Sequence, residues 1–94
     1  MGNTAEALVL VNQIRERAGV DPYTTLTDDL LFDERGREMY VEMSRRQDQI
    51  RFGKWHDAWW AKAADPADTH EIIFPIPQPQ LDSNDKLVQN PGYN

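Results

Sequence analysis

Glu34, Glu38 and Glu42 fall four residues apart in the stretch ERGREMYVEMSRRQDQIR, with Arg35, Arg45, Asp48 and Arg51 interleaved. On a helix that spacing brings carboxylates and guanidinium groups onto one face. Three chemistries compete for such a face. A carboxylate pair can supply general acid and base, as in glycoside hydrolysis, but the two acids then flank a bond across a cleft, and nothing in the pattern builds one. A carboxylate-bundle metal centre wants Glu-x-x-His on facing helices, and neither His56 nor His70 stands three residues after a glutamate. The third reading, a structural ion-pair network partly buried by helix packing, needs only the residues present and leads. Such networks add little net stability, yet deleting one partner strands a buried charge.

Trp55, Trp59 and Trp60, with Phe52 nearby, form a second constellation. Exposed, such rings make a stacking platform for the apolar faces of sugars. Buried, they are core, and large aromatics at helical spacing are more often packing. His56 and His70 read as lone histidines, solvated or hydrogen-bonded. No glycine-rich phosphate loop, nucleophile elbow or zinc-protease motif occurs. The residues therefore assign no catalytic, cofactor or metal site, leave any ligand-binding residue unidentified, and point to a protein that is not an enzyme.

The elements that would position these residues follow from caps and periodicity. Asn3 and Glu6 have capping-box spacing, and Ala7, Leu8, Val11, Ile14 and Ala18 recur every three or four residues, predicting a helix over about 4–18. Gly19 sits where a left-handed glycine ends a helix, and Asp21-Pro22 opposes continuation. Thr27 is the next N-cap, with Asp28 and Asp29 at the positive end of the helix dipole, and the pattern predicts a helix over about 27–46. A third helix is expected over about 50–64, after a bend around Ser44 to Asp48 and before Pro66. The class is all-α, two to three packed helices.

Of six prolines, five lie from Pro66 onward, so residues 66–94 read as an extended tail with no regular helix, although Ile72-Ile73-Phe74 could pair as a short strand. Prolines 75, 77 and 79 lower the entropy lost on ordering it. Ile73, Phe74, Ile76 and Leu81 are the expected anchors, and Asn90-Pro91-Gly92-Tyr93 has the residues of a type II turn aiming Tyr93 back at the body. The tail is predicted to be an ordered strap.

Composition narrows the function. At 94 residues, 39% hydrophobic and 28% charged, the chain is apolar enough to fold. A net charge of −6 opposes nucleic-acid binding, which needs a basic face. The absence of cysteine excludes disulfides, thiolate zinc sites and cysteine nucleophiles. No apolar run is long enough to span a membrane, and no signal peptide is visible after Met1-Gly2-Asn3-Thr4.

Four ordered stretches, VNQIRERAG, LLFDERGREMYVEMSRRQDQIRFGKW, FPIPQPQL and QNPGY, together resemble the carboxyl-terminal segment of the SusD/RagB family of outer-membrane nutrient-binding lipoproteins. In that family a stretch like ERxxELxxEGxRxxDLxRxG precedes a PIP segment and a closing QNPGY. Glu34, Arg35, Glu38, Glu42, Arg45, Asp48, Arg51 and Gly53 fall on its positions, as do Pro75 to Pro77 and Gln89 to Tyr93. Met43 stands where the family usually has Gly, and Gln49 where it often has Leu, so local packing there is expected to differ.

The resemblance implies one carboxyl-terminal fragment, residues 1–94, of an all-α protein with tetratricopeptide-like helix pairs. The longer protein would be held at the outer-membrane cell surface by a lipidated amino-terminal cysteine that these residues lack. It would capture glycans or other nutrients without cleaving them and pass them to a SusC-like TonB-dependent transporter. This segment would be mainly scaffold. The alternative is an interaction segment that touches no ligand, its helical face docked on the rest of the protein or on the transporter.

Overall fold

The computed structural model describes residues 3–66 and 70–93; Met1, Gly2, Asn94 and residues 67–69 of the expected tail lie outside these. Helices α1 (Thr4–Arg17), α2 (Asp28–Glu38), α3 (Arg45–Arg51) and α4 (Gln78–Ser83) and a 3-10 turn (His70–Ile72) make up the regular structure, so the all-α class holds. The chain divides into two compact units, Met1–Phe52 and Gly53–Asn94.

In the first unit the expected caps are in place. The Asn3 side chain accepts from Glu6 N–H and in turn donates to the Glu6 carboxylate. Thr27 Oγ1 accepts from Leu30 N–H at 3.2 Å, and Gly19 takes the left-handed conformation, φ 70°, just past α1. Among the described residues the buried apolar core is only Val11 of α1 and Phe32 of α2. Polar clamps supplement so small a core. The Asn12 amide makes a reciprocal pair with the Tyr23 backbone, at 2.9 and 2.8 Å, fixing the loop after α1 against that helix.

The expected helix over 27–46 stops at Glu38. Two residues that no local rule would choose carry the break: Val41 and Met43 have φ of 68° and 59°. A β-branched residue in that region is strained. The start of α3 holds the reversal in place. Arg45, its first residue, lays its guanidinium 3.6 Å above the Phe32 ring and donates to the Phe32 carbonyl at 2.7 Å. Gly36 inside α2 gives it room, since a Cβ there would lie 2.7 Å from Arg45 Nη1. Met43, at the position where the resembling motif carries glycine, occupies a glycine's backbone conformation.

The helix expected over 50–64 is also corrected. α3 ends at Arg51, and Gly53 follows with φ 68°, the glycine stop that ended α1 as well. In the second unit the chain then forms a tight hairpin in which Trp59 and Lys62 exchange both backbone hydrogen bonds at 2.9 Å, leaving Trp60 and Ala61 at the tip. Ile72-Ile73-Phe74 does not pair as a strand; its first residue closes the 3-10 turn.

The tail is not wholly extended either. α4 begins with Pro79 in its first turn, where the missing N–H has no intrahelical acceptor and costs nothing. Its closure is polar rather than apolar. Gln89 uses both ends of its amide on Ile76, accepting from the N–H at 2.8 Å and donating to the carbonyl at 2.9 Å. Asn90 donates to the Phe74 carbonyl and Tyr93 Oη to the Ile73 carbonyl, each at 2.7 Å. Ile73 and Phe74, two of the four expected anchors, have exposed side chains. The turn itself matches its expectation, with Tyr93 N–H reaching the Asn90 carbonyl and Gly92 at φ 87°.

Candidate functional site

The charged stretch singled out by its spacing is distributed over three kinds of contact. Glu34, 6% exposed, receives Arg15 Nη1 from α1 at 2.7 Å and Arg37 Nη2 at 2.8 Å on Oε2, with the Tyr23 hydroxyl at 3.3 Å. Arg15 also stacks on the Tyr23 ring, its guanidinium carbon 3.9 Å from the centroid, and donates to the Asp21 carbonyl. Burial pushes the Glu34 carboxyl up, but the hydrogen bonds from Arg37 and Arg15, with their charges, outweigh it and hold it below its usual range.

Asp48, 3% exposed, accepts from Arg35 Nε at 2.9 Å, and its second oxygen is buried with no hydrogen-bond partner among the described residues. Glu38 meets Arg17 at the surface. Glu42 is exposed in the turn after α2, and Arg51 is exposed at the end of α3. The expected ion-pair network thus exists, centred on Glu34 and Asp48. Arg37, three residues after Glu34, lies within the charged stretch; Arg15 and Tyr23, which complete the cluster, carried no local signal, because they reach Glu34 from other parts of the chain. An open groove of about 590 Å³ beside it is lined by Arg35, Gly36, Tyr40, Val41, Met43 and Arg45.

In the second unit the tryptophans do not form a helical core. Trp60 at the hairpin tip is 95% exposed and Trp59 51% exposed, with their rings edge to face at a centroid distance of 6.0 Å. Trp55 is partly buried. Packing was expected from a helical spacing that the backbone does not adopt. Below the hairpin, His56 Nδ1 lies 3.6 Å from Asp65 Oδ2, and Lys62 Nζ lies 2.7 Å from the same oxygen. Lys62, through its hydrogen bond and then its charge, holds the Asp65 carboxyl low, with His56 assisting. Glu71 joins these two, so that one ligand atom from each of His56, Asp65 and Glu71 lies within 4.8 Å of the others. His70 instead packs edge-on against Tyr93 at 4.9 Å.

Among the described residues no helix is long and apolar enough to cross a membrane.

Comparison with known proteins matches this arrangement of motifs to one family. The SusD family model covers residues 1–93. The starch-binding protein SusD of Bacteroides thetaiotaomicron is 32% identical over 91 residues, spanning 88% of this chain but 16% of that protein. The chain belongs to the SusD family, and it spans about a sixth of that relative's length.

Proposed function

We propose that this SusD-family chain is the carboxyl-terminal part of a cell-surface lipoprotein that captures glycans or other nutrients for a SusC-like TonB-dependent transporter, and that the segment acts mainly as scaffold. The observation that carries the scaffold role is the engagement of Glu34 and Asp48. Both are buried, and both are held by guanidinium groups of the same unit.

A catalytic acid needs a carboxyl whose proton is retained near neutral pH, which requires a raised pKa. Glu34 is displaced in the opposite direction. Glu34 is therefore unsuited to that role, and the relative's name, a starch-binding protein, favours non-covalent capture by the longer protein.

A second reading is favoured by Trp60, whose almost complete exposure at a hairpin tip offers a ring face to a sugar. All three tryptophans lie in the second unit, so indole fluorescence reports on that unit. Titrating the 94-residue chain with malto-oligosaccharides and other glycans separates the readings. The scaffold role expects no fluorescence change here and saturable binding by the longer protein. A saturable change that disappears in Trp60→Ala would transfer ligand contact to this segment.

A further inference from the structure

We propose that His56, Asp65 and Glu71 form a binding site for a zinc-type divalent cation, independent of any glycan contact. One imidazole and two carboxylates make a mixed nitrogen and oxygen donor set, which suits zinc and its neighbours. Magnesium and calcium prefer oxygen alone. Zinc bonds of about 2.1 Å in tetrahedral array put ligand atoms about 3.4 Å apart. The present atoms, all within 4.8 Å, reach that separation by closing no more than about 1.4 Å. Side-chain torsions supply such a shift.

Two further observations point to a ligand. Both ring nitrogens of His56 are shut off from solvent with no hydrogen-bond partner among the described residues, and Nδ1 at 3.6 Å from Asp65 is beyond hydrogen-bond reach. An imidazole nitrogen without a hydrogen-bond partner keeps its lone pair available, and a metal ion takes it up directly. Lys62 Nζ, at 2.7 Å from Asp65 Oδ2, shows that positive charge is already stabilised at this point. A divalent ion brings twice the charge to the same oxygen and displaces the ammonium.

The backbones that carry the ligands are anchored without the metal. Asp65 N–H donates to the His56 carbonyl at 3.0 Å. The turn bearing Glu71 is fixed by His70, whose ring lies against Tyr93 and beside Gly92, where a Cβ would come within 2.5 Å of His70 Cβ. A site positioned before the ion arrives loses little order on binding. With three protein ligands, the ion keeps a position for water, the arrangement of an open rather than a closed zinc site. Its loading would tie the Trp59–Lys62 hairpin to the 3-10 turn.

The test is isothermal titration of the chelator-treated 94-residue chain with Zn²⁺, and separately with Mg²⁺ and Ca²⁺. Expected are one Zn²⁺ per chain, no saturable binding of the other two ions, and an affinity at least about tenfold lower in Glu71→Gln and His56→Ala. Lys62→Met, which removes the resident cation, should bind Zn²⁺ more tightly than the unaltered chain. Cobalt substitution should give a visible absorption band that is lost in Glu71→Gln. Glu71→Gln keeps the size of an exposed side chain and, with its fold checked by circular dichroism, decides the matter even where His56→Ala does not fold. Absent Zn²⁺ binding, or binding of equal strength in Glu71→Gln, overturns the assignment.

Discussion

Replacing Arg35 with alanine isolates the Asp48 carboxylate. Asp48 is 3% exposed, its Oδ1 accepts from Arg35 Nε at 2.9 Å, and Oδ2 already lacks a partner among the described residues. Removing one member of a buried pair costs roughly 3–5 kcal/mol. Arg35 is itself about a third exposed, at 36% for the side chain, so water entering the vacated space recovers part of that loss. We expect a loss of about 2–3 kcal/mol, just below the general range. A unit of this size has a total stability of roughly 3–8 kcal/mol. With an m-value of about 1.25 kcal/mol/M in urea, the midpoint should fall by roughly 2 M. Far-UV circular dichroism is the readout, because the two longest helices lie in this unit.

The double variant Arg35→Ala/Asp48→Ala carries the sharper expectation. It deletes the stranded charge together with its partner and should be more stable than Arg35→Ala by about 1 kcal/mol or more. If Arg35→Ala loses less than about 1 kcal/mol, or the two single losses simply add, Asp48 is not the buried, dependent charge described here.

Acid should weaken the first unit through Glu34. Its pKa is lowered in the folded state, so the stability it contributes is present above the unfolded value of about 4.3 and lost as pH falls through the folded value. Urea midpoints measured between about pH 6 and pH 3 should decline, and Glu34→Gln should flatten the decline while lowering stability at neutral pH. Met43→Gly should raise stability by about 0.5–1 kcal/mol, because it relieves a left-handed conformation at φ 59° in an exposed side chain; an unchanged or lower urea midpoint means Met43 is unstrained. Gly92→Ala combines a positive φ with a contact of 2.5 Å to His70 and should cost about 2 kcal/mol or more, read by the unfolding of tryptophan fluorescence.

Where the sequence carries a local mechanism, the structure obeys it. Asn3, Thr27 and Gly19 mark their helix ends because each satisfies or releases a backbone group within a few residues. The ion-pair centre was legible in Glu34, Arg35 and Asp48, whose types and positions hold whether the helix runs on or breaks. The break itself was hidden. It is imposed by Arg45 folding back on Phe32 and is carried by Val41 and Met43, which have no turn chemistry to announce it. The stop at Gly53 was masked by the helical spacing of the tryptophans beyond it. The grouping of His56, Asp65 and Glu71 depends on a hairpin between the first two whose tip residues are not turn formers, so their spacing alone did not announce it.

The polar closure of the tail has a consequence for how copies of this chain behave in solution. Residues 72–76, Ile-Ile-Phe-Pro-Ile, are apolar, rich in β-formers and partly exposed, the composition of an edge that recruits a neighbouring chain. Their backbone is already spoken for. The Ile73 and Phe74 carbonyls and both polar groups of Ile76 are taken by Tyr93, Asn90 and Gln89, and Pro75 offers no donor. A side-chain amide at Gln89 stands where an intruding strand would pair. Gln89, Asn90 and Tyr93 thus act as a guard against intermolecular β-assembly, and opening them would expose a template for aggregation in a chain whose described residues show no strand beyond the Trp59–Lys62 bridge.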